Sequence, residues 1–407
     1  MKKIIIYIFI LFFIFNFAYV IYADDRIENF NIKEIQETIE TSSNPKSKPN
    51  INSRSAIVLD RNTNAILYGK NENQKRPMAS TTKIMTSIVI IENNDLNDIV
   101  TISKKAAGTG GSRLGLKFND KISVKDLLYG LMLRSGNDAA VALAEYSGES
   151  VQQFANLMNN KANSLGLKNT HFETPHGLDS SEHYTTTYEL AILTDYALKN
   201  EIFSKIVNTQ NINININGNS KNIHNTNELL GYLNGVNGVK TGYTSKAGRC
   251  LVTSASRDGF EIIVVVLGAD TRKIRTQDSI KLIEYIYKNY KLFNVEEAVN
   301  SEYELWQKIN LKRIRIVKGV KLRPDIYKEC GKYIYYPIEK NETIKIDTTV
   351  IKKFEAPVPA NTEVGRIIVK KGEEVIDEIQ IKTKEQVAKK GIISYFFEIM
   401  QLLKFAI

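Results

Sequence analysis

The sequence predicts a layered α/β (α+β) domain followed by a small all-β domain. Two observations carry that expectation. Short apolar, strand-like runs stand at both ends of the segment 51–290, with helical periodicity between and after them. Beyond about Lys291 the pattern becomes alternation of apolar and polar residues between Gly and Asn turns. A chain of 407 residues is long enough for two cores, and its 43% hydrophobic and 25% charged content is ordinary for a globular protein.

The chain begins with Lys2 and Lys3, then an apolar run from Ile4 to Tyr22 broken only by Asn16, closing on Ala23 before two aspartates. A basic start, an apolar centre and a small residue at its end describe an export signal over 1–23, either cleaved after Ala23 or retained as an anchor. Residues 24–50 are rich in Asn, Ser and Lys, with Pro45 and Pro49, and read as a flexible spacer. Cys250 and Cys330 are the only cysteines, so a disulfide scaffold is excluded and buried free thiols are expected. The formal net charge is +10. Without a dense Lys/Arg cluster, nucleic acid is not an expected partner. The charge suits either an anionic envelope surface or simple solvation.

From Ser55 the elements follow in order. "SAIVLD" and "AILYGK", separated by "RNTN", read as a hairpin. A helix starts near Ser80. "SVKDLLYGLMLRSGNDAAVALAEYSG" has helical spacing interrupted at Ser135-Gly136-Asn137, and "SVQQFANLMNNKANSLG" and "TTTYELAILTDYALKN" add two amphipathic helices. "QNINININGNSKNIHNTN" alternates Asn and Ile around a Gly-Asn turn, as a polar-faced hairpin does. "AGRCLVTSAS" and "FEIIVVVLGAD" are adjacent strands, and "TQDSIKLIEYIYKNY" is a closing helix. Alternating runs such as "KRIRIVKG", "TIKIDTTVIKKF" and "VIDEIQIK" place a β-rich domain over 291–385. The last segment, 386–407, is a helix with a narrow polar stripe of Lys390, Ser394, Glu398 and Gln401. It suits an amphipathic helix lying at a membrane surface, or else a docked C-terminal helix.

Three short elements carry chemistry: Ser80-x-x-Lys83 at a helix start, Ser135-Gly136-Asn137 between helices, and Lys240-Thr241-Gly242 at a strand entry. Ser80 and Lys83 share one helical face at i, i+3. Ser-x-x-Lys also occurs at Ser43 and Lys46, where Pro45 intervenes, so order and context give the set its specificity. Such a set, with Ser-Asp-Asn where this chain has Ser135-Gly136-Asn137, is the signature of class A β-lactamases and penicillin-binding proteins. With "NTHFETPHGLD", "HYTTTYELA", "NTNELL" and "VKTGYTSKAGRCLVTSASRDG", the chain resembles the low-molecular-mass penicillin-binding proteins, serine-type D-alanyl-D-alanine carboxypeptidases, over roughly 55–290.

That resemblance implies a β-lactamase/DD-peptidase-like fold: an antiparallel sheet flanked by helices, with a helical subdomain and a following small all-β domain. It implies removal of the terminal D-alanine from peptidoglycan stem pentapeptides through an acyl-serine, with β-lactam antibiotics as covalent inhibitors. Ser80 would be the nucleophile and Lys83 its base, neutral because burial and Lys240 depress its pKa. Ser135 would relay a proton to the leaving amine, and Asn137 would bond a substrate amide. The N–H groups of Ser80 and Tyr243 would form the oxyanion hole, beside Gly242. Lys240 and Thr241 would attract the terminal carboxylate, as would Arg275, for which Arg272 is an equal candidate by spacing. His176 would give structural support.

A class A β-lactamase needs a glutamate followed four residues later by asparagine, and none lies between Ser135 and Lys240. His171, His176, His183 and His224 lack His-Glu-x-x-His spacing, so no metal or cofactor is expected. A non-catalytic envelope-binding protein would have no need to keep Ser80, Lys83, Ser135, Asn137 and Lys240 together.

Overall fold

The computed structural model describes residues 30–42 and 47–404. The export signal at 1–23, parts of the spacer (24–29 and 43–46) and the last residues of the tail (405–407) lie outside the described residues. Part of the segment expected to be a flexible spacer is helical, over Ile32–Ser42. Ile32, Ile35 and Ile39 recur at helical spacing, Asn31 Oδ1 accepts from the Lys33 N–H at the helix start, and Ile35 is buried.

The chain forms two compact units, 1–288 and 289–407. The first is built on a five-stranded antiparallel sheet of order β2-β1-β9-β8-β7. Its strands are β1 (Ser55–Asp60), β2 (Ile66–Lys70), β7 (Val236–Thr244), β8 (Gly248–Arg257) and β9 (Phe260–Ala269). Central strands covered on both faces need apolar residues at every position rather than every second one. β9 is such a strand, with Ile262 through Leu267 all buried. β7 stands at the sheet edge, so one side of its backbone is unclaimed by the sheet.

Small hairpins pair β3 (Ile99–Thr101) with β4 (Lys121–Ser123) and β5 (Asn211–Ile216) with β6 (Asn219–His224). The helix Lys83–Asn93 is buried from Lys83 to Ile90, as a helix apolar on every side must be. It runs through a cluster supplied by helices Val124–Leu133, Asn137–Gly148 and Val151–Ser164, including Leu127, Leu131, Leu143, Phe154 and Met158. Side-chain caps fix several helix starts: Ser123 Oγ accepts from the Asp126 N–H, Ser150 Oγ from Gln153 and Thr186 Oγ1 from Glu189. The helix Arg272–Asn289 follows β9.

The second unit contains β10 (Tyr290–Asn294), paired with β13 (Tyr335–Glu339), and β11 (Arg315–Val317), paired with β15 (Lys353–Glu355). A four-stranded sheet of order β12-β17-β16-β14 joins Ile326–Lys328, Glu374–Thr383, Glu363–Lys371 and Ile344–Val350. The β-rich texture expected of this region is accompanied by one helix, Val295–Asn310, capped by Asn294 and burying Val295, Val299, Tyr303 and Trp306. Residues 386–390 belong to the β unit: Val387 is buried and bridges Val358, and Lys389 bridges Gly319. The terminal helix begins later, at Ile392, and runs to Lys404. Cys250 is buried, as expected of both thiols; Cys330 is exposed, because it lies outside any strand, in the chain that follows Ile326–Lys328.

Candidate active site

Ser80 sits in a 3-10 turn, Ala79–Thr82, that runs directly into the helix Lys83–Asn93. Ala79 has φ +48°, a conformation that residues with a Cβ avoid. Ser80 is half-buried and Lys83 fully buried, so the hydroxyl is reachable and the amine is not.

Lys83 Nζ lies 2.7 Å from Ser80 Oγ and donates to Asn137 Oδ1 and to the His176 carbonyl, each at 2.8 Å. A neutral amine has two hydrogens and one lone pair. In a neutral Lys83 with both hydrogens given to Asn137 and His176, the lone pair would be the part left for Ser80 Oγ. Burial first, and then the charge of Lys240, hold Lys83 well below the usual lysine pKa, against a smaller opposing pull from Asp138. The His176 ring is itself a poor base. Burial, Lys83 and His183 push its pKa down to about 3, and its Nδ1 accepts the Leu178 N–H.

Ser135, Gly136 and Asn137 link two helices. Ser135 is buried with φ +58°, which reverses the chain after Arg134, and Asn137 opens the next helix. Asn137 Nδ2 donates to the Gly110 carbonyl at 2.8 Å, and its backbone N–H donates to Ser112. Asp138, which the sequence reading did not single out, is fully buried and accepts the N–H groups of Leu114, Gly115 and Leu116. It therefore pins the loop 110–116 against this corner.

Lys240, Thr241 and Gly242 lie on edge strand β7, with Lys240 and Thr241 buried. Thr241 Oγ1 shares a hydrogen bond with Thr226 Oγ1 at 2.8 Å. A Cβ on Gly242 would come within 3.0 Å of the Ser80 nitrogen, so glycine lets the strand approach the Ser80 turn this closely. Tyr243, next on the strand, packs its ring under Arg249, 3.8 Å from the guanidinium carbon. Thr244 Oγ1 donates to Asp179. The structure thus brings Lys83 into direct contact with both Ser80 and Asn137 and sets β7 beside Ser80.

Arg275 is placed differently. It is fully enclosed, and its Nη2 donates to Glu228 Oε1, while Arg272 Nε lies 3.7 Å from the same oxygen. Burial works to raise the Glu228 pKa, but Arg275, Thr276 and Arg272 outweigh it and hold the carboxyl below its usual range. Nothing in the local sequence marks Glu228 as a partner, since 47 residues separate it from Arg275. Among the described residues no group of three or more His, Cys, Asp or Glu side chains is arranged to hold a metal ion.

This fold with this corner defines a serine acyl-transfer enzyme of the penicillin-binding type. Residues 41–271 match the D-alanyl-D-alanine carboxypeptidase family, peptidase S11, and residues 326–389 match the penicillin-binding protein 5 C-terminal domain. The D-alanyl-D-alanine carboxypeptidase DacF of Bacillus subtilis is 34% identical over 361 residues, covering 84% of this chain and 87% of that protein. DacD of Escherichia coli is 34% identical over 336 residues, covering 78% and 82%. The structure of penicillin-binding protein 5 from Haemophilus influenzae superposes with a TM-score of 0.68 at 30% identity, covering 84% of this chain and 99% of the other. The chain belongs to the D-alanyl-D-alanine carboxypeptidase family and is a serine-type carboxypeptidase of the cell wall.

Proposed function

We propose that the carboxypeptidase reaction runs through an ester on Ser80 and removes the terminal D-alanine from peptidoglycan stem pentapeptides. The observation that carries this reading is the contact of Lys83 Nζ with Ser80 Oγ, 2.7 Å, at a lysine whose charged form is disfavoured by burial and by Lys240. Lys83 takes the Ser80 proton as Oγ attacks the carbonyl carbon of the penultimate D-alanine. The oxyanion is met by the N–H groups of Ser80 and Tyr243, and losing one such donor costs about 100-fold or more in related sites. Lys83 returns the proton through the Ser135 hydroxyl to the departing nitrogen, the C–N bond breaks and D-alanine leaves. Water, deprotonated by Lys83, then attacks the ester and Ser80 regains its hydrogen. Asn137 holds a substrate amide, and Lys240 and Thr241 face the terminal carboxylate. Arg275 contributes positive potential there, moderated by its pairing with Glu228. In a β-lactam the broken C–N bond lies in a ring, so the leaving nitrogen stays tethered and the ester persists.

Purified protein should release D-alanine from a D-Ala-D-Ala-ended pentapeptide with no added metal, and mass spectrometry should place a penicilloyl group on Ser80. Activity lost to a chelator and restored by zinc, or an adduct elsewhere, overturns the reading.

We further infer that the protein is exported and held on the outer face of the cytoplasmic membrane by its terminal helix. On Ile392–Lys404, the side chains of Ile392, Ile393, Phe396, Phe397 and Ile399 are more than half exposed. From Lys382 onward five lysines oppose two glutamates. Apolar exposure beside net positive charge favours an anionic lipid surface. Among the described residues no helix is long and apolar enough to cross a membrane, so this helix would lie in the interface.

A further inference from the structure

A chain of hydrogen bonds begins behind the nucleophile turn at Thr82. Its hydroxyl donates to the Ala79 carbonyl at 2.8 Å. A hydroxyl has one hydrogen to give. Toward His183 Nε2, 2.7 Å away, Thr82 Oγ1 must therefore accept, and Nε2 must carry a hydrogen. His183 Nδ1 accepts the Glu173 backbone N–H at 3.0 Å, which requires a lone pair there. Both contacts select one species, the neutral imidazole with its hydrogen on Nε2. Burial, and then the neighbouring His171, push the His183 pKa down to about 4, which keeps that species at neutral pH. The ring is 3% exposed, so it does not meet substrate.

The bond chain ends on the Ala79 carbonyl, and that oxygen belongs to the peptide unit that carries the Ser80 N–H. A trans peptide is planar, with C=O and N–H pointing in opposite directions. Fixing the Ala79 oxygen therefore aims the Ser80 N–H. The plane needs fixing, because Ala79 has φ +48° and a residue with a Cβ does not rest there unaided. Gly177 confines the same oxygen from another side, since a Cβ on it would lie 1.9 Å away.

We propose that His183 is a positioning residue for the reaction: through the Thr82 hydroxyl it fixes the Ala79–Ser80 peptide plane and so aims the oxyanion-binding N–H of Ser80. The proposal rests on Ser80 as nucleophile. An aimed donor matters where negative charge develops, not in the ground state. His183→Leu should therefore slow acylation about 10- to 100-fold, the range expected when an oxyanion donor is misaligned rather than removed. Pre-covalent binding should be unchanged. His183→Gln offers an amide N–H to Thr82 and a carbonyl to Glu173, and should recover to within about threefold of wild type.

The experiment is time-resolved labelling by a fluorescent penicillin, resolved into pre-covalent binding and acylation rate, with thermal unfolding measured on each variant. Slow acylation with intact binding in His183→Leu, recovered in His183→Gln, supports the proposal. Wild-type acylation by His183→Leu, or equal impairment of both variants, overturns it. If His183→Leu does not fold, Thr82→Val and Thr82→Ser carry the test. Thr82→Val should be slow and Thr82→Ser recovered, and wild-type acylation by Thr82→Val overturns the proposal. Labelling of Ser80→Ala would instead overturn the nucleophile reading on which the proposal stands.

Discussion

If Lys83 is the base, as proposed, replacing it with alanine removes a group for which neither nearby histidine can stand in. The two histidines nearest the nucleophile turn are committed elsewhere. His183 bonds Thr82 and Glu173, and the His176 ring, with a pKa near 3, accepts the Leu178 N–H while only its backbone carbonyl contacts Lys83 and Ser80. Loss of a positioned general base typically costs about 100- to 10,000-fold, or about 3 to 5 kcal/mol of barrier. With neither histidine able to substitute, the upper half of that range is expected. Total loss is not, because the Ser80 N–H and Lys240 remain. The truncation also removes the donor that Asn137 Oδ1 and the His176 carbonyl share; the carbonyl keeps its contact with Ser80 Oγ, while a buried acceptor such as Asn137 Oδ1 left unpaired costs about 1 to 3 kcal/mol of stability. Thermal unfolding must therefore accompany the rates. The assay is labelling by a fluorescent penicillin across a pH series. Wild-type acylation should rise with pH and level off well below the ordinary lysine pKa, since burial and Lys240 favour the neutral amine. Lys83→Ala should be slow at every pH and lack that rise. A folded Lys83→Ala protein that acylates within about tenfold of wild type, outside the range for a lost base, would refute the assignment.

Lys240→Ala should slow acylation by removing transition-state charge, and should move the pH rise of acylation upward, because the like charge that depresses Lys83 is gone; an unmoved rise in the same pH series would show that Lys240 does not set it. Lys83 also links stability to pH. Its folded pKa lies below its unfolded value, so between the two the unfolded chain binds more protons, and stability falls as pH is lowered through that window. Denaturant titrations should show the wild-type minus Lys83→Ala stability difference increasing with pH there. Gly177→Ala places a Cβ 1.9 Å from the Ala79 oxygen and 2.6 Å from Thr82 Oγ1 at φ +85°. It should destabilise by about 2 kcal/mol or more in thermal unfolding and slow acylation as well. A mature chain beginning at Asp24 and ending after Gly391 keeps buried Val387 and its bridge to Val358, which an end near Gln386 would remove. It should stay in the supernatant with anionic liposomes and retain carboxypeptidase activity; sedimentation would assign membrane binding to the basic body instead.

The parts of this enzyme that were legible in the sequence are those whose chemistry is local. Ser80 and Lys83 share a helical face whatever the rest of the chain does, and "FEIIVVVLGAD" reads as a strand, which the structure buries from Ile262 to Leu267. Joining Ser80, Asn137 and Lys240 into one site came from a family resemblance, because no local rule says that positions 80, 137 and 240 meet. The partners that control those residues lie far away in the chain and leave no spacing signal. His183 reaches Thr82 across 101 positions, Glu228 reaches Arg275 across 47, and Asp138 reaches the loop at Leu114 across 24. For Arg275 the difference is chemical as well as positional. A guanidinium read from sequence is a free fork for a carboxylate, whereas one held against Glu228 has part of its charge already answered. If Arg275 acts on the substrate carboxylate as proposed, the preference it confers is set by its pairing with Glu228 and not by the arginine alone.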